Sequence, residues 1–325
     1  MSSITCDIAR VTDIQNSNFL RVSELLMLSL SVLAIPTCIW ALYKCLRTKL
    51  FHINIRVIAA CCCLSLLCHS VGRAIQHSSS LLLWTSNLPM CEKVHNLNTC
   101  VFAHFLYNFG MYSPSFTTVL MVIERTVATR FFTKYETNKC YLGIFLVSIQ
   151  VFLSLLIAFV FAMNSDYGER PVHCFSDNQL GWALSCKFVM IVLNVLALFQ
   201  CYRLKAINKN LRITPECTDL SHKFQVEENR VLVDVIYKFT KLDFFFMVAF
   251  FLFGIVIQVF SKSIMEPNFL AYFELIHCVP LYSIVVLSRM TLEMRNVKRS
   301  KTSNIFNHIK IENEEYFRQF KKQWD

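Results

Sequence analysis

The chain has 325 residues, of which 55% are hydrophobic and only 17% charged, and its net charge is +10. Water-soluble domains usually carry roughly 25% charged residues, so this composition belongs in a bilayer. Six glycines and seven prolines exclude collagen-like and low-complexity chains, and the placement of the positive charge, described below, excludes nucleic acid as its explanation.

Seven apolar runs follow one another: Val22 to Tyr43, Leu50 to Ile75, Leu97 to Ile123, Tyr141 to Met163, Gly181 to Tyr202, Phe239 to Phe260 and Phe269 to Leu287. Each is close to or somewhat above the ~20 residues that cross a hydrocarbon core as a helix. The expected fold is an all-α membrane protein, a seven-transmembrane helix bundle over residues 22–289. A segment 1–21 precedes it and a tail 290–325 follows. Lysine and arginine between the runs give a direction, because positively charged short loops stay in the cytoplasm. One side, from Lys44 to Lys49, Arg125 to Lys139, Arg203 to Lys241 and Arg289 to Lys322, holds 24 of them, whereas the other holds 5. The amino terminus is therefore expected outside the cell and the carboxyl terminus inside. Such a basic cytoplasmic rim also suits anionic lipid. Residues 1–20 lack the ordered regions of a signal peptide, so the first run is expected to be retained.

Pro36, Pro114 and Pro280 fall within runs, where a missing backbone donor can kink a helix. Ahead of the sixth run, Phe224, Val231, Leu232, Val235, Ile236 and Phe239 recur at helical spacing among charged residues, which predicts that this span continues as an amphipathic helix. In the tail, Glu314, Tyr316, Phe317, Phe320 and Trp324 suggest a further short amphipathic helix.

An enzyme would need convergent acid-base or metal-binding groups. The nine histidines show no HxxxH spacing, and no apolar run holds two carboxylates three or four residues apart. No catalytic residue, metal or cofactor is expected, and the last run lacks the lysine a covalent retinal would require.

Ionisable groups inside a span cost roughly 2.5–3.5 kcal/mol each, so they should face a cavity or one another. Arg73, His104, Lys187, Glu274 and His277 lie near the outer mouth. In the third run His104, Tyr107, Asn108, Met111, Tyr112 and Ser115 form a polar and aromatic stripe at helical spacing. Together with Lys187, Glu274 and His277, these residues are candidates for binding a ligand. A packed interhelical hydrogen-bonding face is the alternative. The outer cysteines are Cys6, Cys91, Cys100, Cys174 and Cys186, in an oxidising compartment. A bridge from Cys174 to Cys100 would fold the second outer loop over the bundle; Cys91 competes as its partner, and a second bridge using Cys91 with Cys186 or Cys6 stays open. At the inner end Glu124-Arg125-Thr126 reads as a latch, in which Arg125 pairs with Glu124, Asp234 or Asp243 in one state and is freed in the other. The alternative is an arginine that only snorkels to the interface.

Seven spans, a cysteine 25 residues before an acid-arginine pair and a cysteine in the second outer loop resemble the rhodopsin-like G-protein-coupled receptors. The sixth span lacks that family's Cys-Trp-x-Pro, and Val279-Pro280-Leu281-Tyr282 stands where it shows Asn-Pro-x-x-Tyr. Tyr107 stands where amine receptors carry an aspartate, which disfavours an amine ligand. Four further motifs resemble the nematode serpentine chemoreceptors of the alpha-type superfamily, class epsilon first and class alpha/beta next. They are Phe51-His52-Ile53-Asn54; Tyr107-Asn108-Phe109-Gly110-Met111-Tyr112; Ile123-Glu124-Arg125-Thr126-Val127-Ala128-Thr129 with Tyr135-Glu136; and Leu220-Ser221-His222-Lys223-Phe224-Gln225 with Glu228-Asn229. The resemblance implies a chemosensory receptor in the plasma membrane, often ciliary, of sensory neurons, binding a small molecule and signalling through a heterotrimeric G protein. The competing readings are a transporter or ligand-gated channel, and a partner that helps another receptor to traffic.

Overall fold

The computed structural model describes residues 8–48, 51–131, 135, 140–165, 171–174, 179–213 and 220–299. The described residues are helical with no strand. A short helix α1 (Ile8–Asn16) precedes α2 (Asn18–Arg47), α3 (Ile53–Thr85), α4 (Leu97–Arg130), α5 (Tyr141–Asn164), α6 (Gln179–Ile213), α7 (Leu220–Phe260) and α8 (Glu266–Ile276). A last helix, α9, covers 279–299. Side chains set several of the starts. Ser17 Oγ accepts from the Leu20 N–H at 3.3 Å, His52 Nδ1 from Asn54 at 3.3 Å and Asn96 Oδ1 from Asn98 at 2.9 Å, each satisfying a first-turn donor that the helix itself cannot.

Six helical stretches are long and apolar enough to cross a membrane: Asn18–Arg47, Ile53–Thr85, Tyr141–Asn164, Gly181–Leu211, Val226–Ser263 and Glu266–Arg299. The remaining span, third in chain order, is α4, whose 34 residues carry the stripe from His104 to Ser115. It need not be apolar, because it is buried nearly all round and packs on α3, α5, α6 and α7. Polar groups in the bilayer are tolerated where other helices cover them. The lipid-facing helices show the reverse pattern. Helix α5 turns Gly143, Leu146, Gln150, Ser154, Ala158 and Phe161 inward, while Phe145, Phe152 and Phe159 face out. Small and polar residues thus fill the helix interfaces and large apolar ones meet lipid.

Helix α1, within the polar segment 1–21, packs Ile14 with Leu20 against Leu270 and Ala271 of α8, and Arg10 Nη2 lies 2.6 Å from Glu266. The amphipathic stretch ahead of the sixth run is part of one continuous helix, α7, of 41 residues. The seventh span is broken at His277-Cys278. Pro280 explains the break, since it has no N–H to give the Ile276 carbonyl and its ring crowds that carbonyl. By contrast Pro36 and Pro114 sit inside uninterrupted helices. The tail helix expected around Tyr316 and Trp324 lies outside the described residues, as do Cys6 and Glu136.

Candidate functional site

Polar side chains gather at three levels along α4. The first is the end that carries Cys100. Cys100, in the first turn of α4, is bonded to Cys174 with their Cα atoms 5.3 Å apart. Cys91 is engaged in another disulfide, whose partner lies outside the described residues, and Cys186 is a free thiol. Two more bonds hold the Cys174 segment down: His95 N–H donates to the Pro171 carbonyl at 2.8 Å, and His104 Nε2–H donates to the Cys174 carbonyl at 2.5 Å. With its Nε2 proton committed, His104 accepts at Nδ1 from the Tyr107 hydroxyl at 3.0 Å. Beneath this cap Arg73 Nη2 meets Glu274 at 2.8 Å, with both side chains buried, and Gln76 donates to Glu274 at 3.2 Å. The Arg73 guanidinium also stands 4.9 Å from the centre of the Tyr107 ring. His173, next to Cys174, lies 3.5 Å from Glu24 and 3.8 Å from Glu274, so the bridged loop touches the first and seventh spans together.

Lys187 of α6 points at the seventh span instead, with Nζ 3.0 Å from His277 Nε2. The ligand candidates read from the sequence therefore divide. His104, Tyr107 and Glu274 share one network, and Lys187 with His277 forms another. Asn108 and Met111 are buried, and Tyr112 stacks on Phe161 at 5.7 Å with its hydroxyl lacking a hydrogen-bond partner among the described residues.

Mid-bundle, Asp243 of α7 accepts from the Tyr282 hydroxyl of α9 at 2.8 Å and from Ser115 of α4 at 3.3 Å. Thr118 of α4 donates to Asn194 of α6 at 3.0 Å, while Gln150 of α5 donates to Ser113 at 2.7 Å and Thr117 at 2.8 Å. Asp243 is thus a tie between the third, sixth and seventh spans, away from Arg125.

The third level surrounds Arg125, which is buried. Its Nε and Nη2 engage the two oxygens of Glu124, each at 2.5 Å, in a bidentate pair. Its Nη1 donates across the bundle to Asn229 of α7 at 2.7 Å, and its Nη2 donates to the Tyr135 hydroxyl at 2.8 Å. Tyr135 in turn donates to Glu124, accepts from Asn54 of α3 at 3.1 Å and stacks near His52, with ring centres 4.5 Å apart. Asn54 also caps α5, accepting from the Gly143 N–H at 3.1 Å. Burial pushes the Tyr135 phenol up from its ordinary value, which keeps the hydroxyl proton available to Glu124. Asp234 is elsewhere, half-exposed and 2.7 Å from Lys205.

Sequence reasoning did not assign Tyr135, His52, Asn54 or Asn229 to Arg125. The signal was present in the motifs themselves, because three of the four quoted above converge on this one guanidinium.

Seven helices around a polar-cored third span, with a disulfide-bonded loop over one end and a buried acid-arginine pair at the other, define the GPCR-like class of membrane receptors. The comparisons agree. The model for the family described as "Serpentine type 7TM GPCR receptor class ab chemoreceptor" matches residues 5–325. The chain belongs to the nematode serpentine chemoreceptors of class ab, a family of receptors rather than enzymes. Similar proteins include serpentine receptor class beta-6 of Caenorhabditis elegans, 18% identical over 314 residues that cover 94% of this chain and 91% of that one. Class beta-17 of the same species is 25% identical over 83% of this chain and 77% of its own. Class alpha-10 of Caenorhabditis briggsae is 20% identical over 96% and 95%. Class epsilon, the first expectation, gains no support. Asn54, Tyr107, Gly110, Glu124, Arg125, Tyr135 and Asn229 from those motifs are packing, hydrogen-bond and ion-pair positions of the bundle, and such positions report the common architecture rather than the class.

Proposed function

We propose that this chain is a chemosensory receptor that binds a small-molecule cue in the half of the bundle nearer the Cys100–Cys174 bridge and activates a heterotrimeric G protein at the Arg125 end. Residues 1–21 and the bridge then face outside, and 290–325 lie in the cytoplasm. The cell membrane, and the cilium of a sensory neuron in particular, is the setting that the family suggests. The observation that carries the reading is the Arg125 cluster: one buried guanidinium ties α4 to α7 through Asn229 and to the connection after α4 through Tyr135. Outward movement of α7 breaks the Asn229 bond and uncovers the surface where a G-protein helix docks. Among the described residues, Asn229 is the α7 side chain that hydrogen-bonds to Arg125. Asn229→Ala should raise basal nucleotide exchange several-fold in reconstituted vesicles, and Arg125→Ala should abolish cue-dependent exchange. Normal exchange by the Arg125 variant would remove the support for this reading.

A further inference from the structure

Four basic side chains are buried among the described residues: Arg21, Arg73, Arg125 and Lys187. The three arginines each meet a carboxylate, Glu24 at 2.7 Å, Glu274 at 2.8 Å and Glu124 at 2.5 Å. Lys187, only 3% exposed, has none among the described residues. Its polar neighbour is His277, whose state is fixed by its other contact. His277 Nδ1 lies 2.9 Å from the Phe273 carbonyl, which can only accept, so Nδ1 bears the proton and Nε2 offers Lys187 a lone pair. That satisfies one of three ammonium donors and none of the charge. A lysine buried in the bilayer without a carboxylate either sheds its proton or takes up an anion, which makes it a candidate anion site.

One further feature stands beside it. Past the break at His277-Cys278, a cleft of about 940 Å3 opens between α7 and α8. Phe245, Phe246, Phe250, Phe253 and Phe260 line it, and Ile276 and Cys278 of the break form part of its wall. Phe245 and Phe253 are 66% and 60% exposed, on the face that lipid covers. Phe250 belongs to both places, since it lines the cleft and its ring centre lies 5.7 Å from Lys187 Nζ.

We infer that the ligand is an amphiphilic carboxylic acid that enters from the bilayer, lays its apolar chain in the α7–α8 cleft and, with Phe250 turned aside, pairs its carboxylate with Lys187. This deepens the receptor reading and rests on it. One lysine without a carboxylate matches a single negative charge; a phosphate dianion would exceed it. Occupation would wedge α7 from the seventh span, on the same helix that holds Asn229 at the far end.

The test uses the full chain in phosphatidylcholine nanodiscs, with radiolabelled tetradecanoate and 1-tetradecanol as probes. Their chains are equal, so the difference in affinity reads the headgroup alone. The acid should bind at least ~10-fold tighter than the alcohol. Lys187→Met should erase that preference and Lys187→Arg should keep it. Ala249→Trp, filling the cleft without touching Lys187, should weaken both probes together. Equal binding of acid and alcohol by the wild type means simple partitioning and overturns the inference, as does a preference that survives Lys187→Met. Lys187-dependent binding without nucleotide exchange in any added G protein would instead leave this inference standing and overturn the receptor reading.

Discussion

At Arg125 the cost of burying a charge is met by geometry rather than by solvent. The bidentate pair with Glu124 neutralises the guanidinium, Asn229 takes one of its remaining donors, and Tyr135 serves both members of the pair at once. Tyr135 is therefore worth more than one hydrogen bond, because removing its hydroxyl leaves a carboxylate oxygen, an arginine donor and an Asn54 donor short of a partner in a dry site. Tyr135→Phe should lower the stability of the purified receptor by about 1–3 kcal/mol, read as a drop in its thermal midpoint in detergent. An unchanged midpoint would show that water reaches the cluster freely. Of the acidic partners expected for Arg125, Glu124 is the one that meets it, whereas Asp234 and Asp243 do not. Once Glu124 has cancelled the charge of Arg125, a second carboxylate in contact would itself be buried unpaired, so a neutral amide is the better partner across the bundle.

Among the elements, α3 and α4 approach each other closely at Gly110. A Cβ on Gly110 would stand 2.2 Å from the Ser65 carbonyl oxygen and 2.5 Å from His69 Cβ, so only glycine lets these two helices meet here. Gly110→Ala should separate them and cost about 1–3 kcal/mol through overpacking, visible as poor yield of folded receptor. Gly181→Ala, where the new Cβ meets nothing within 4 Å, should be neutral or slightly stabilising. The bundle itself was legible because apolar runs of membrane length report helices directly, and the long α7 followed from its spacing. Cross-bundle partners were not legible, since periodicity gives a residue's face but not its depth or its neighbour. Asp234 lies five residues beyond Asn229, roughly 140° around the helix, and so turns away from Arg125. Asp243 comes back to within roughly 40° of that face but is about 21 Å further along, where Tyr282 and Ser115 claim it instead. The helix α1 escaped notice because its nine residues are too few and too polar to stand out before their partner surface on α8 is known.

For the whole molecule, the lid over the Cys100 end is fastened to four of the helices through a handful of side chains, and one of them responds to acid. His95 lies between α3 and α4 with ring nitrogens 3.3 Å from Ser79 and 3.4 Å from Ser80. Burial holds its imidazole down at about 4, against roughly 6.5 for an exposed histidine. The unfolded chain thus takes up a proton that the folded one refuses, and the stability His95 contributes is complete above pH ~6.5 and lost as pH falls toward about 4, by at most about 3 kcal/mol. His95→Gln should flatten that part of the pH profile in thermal unfolding; an unaltered slope would assign it to other groups. The opposite end has a consequence for sensitivity. Glu124 and Arg125 are neighbours on one helix, so their pairing survives any rigid displacement of α7, and among the described residues the hydrogen bond from Arg125 to α7 that has to be broken is the one to the uncharged amide of Asn229. Such a bond is worth roughly 1.5–3 kcal/mol, so on the receptor reading a cue preferring the displaced arrangement by only about 10- to 150-fold would be enough to tip it. A detector built this way trades silence for a low threshold: it would fire now and then with nothing bound, and it would answer a faint cue.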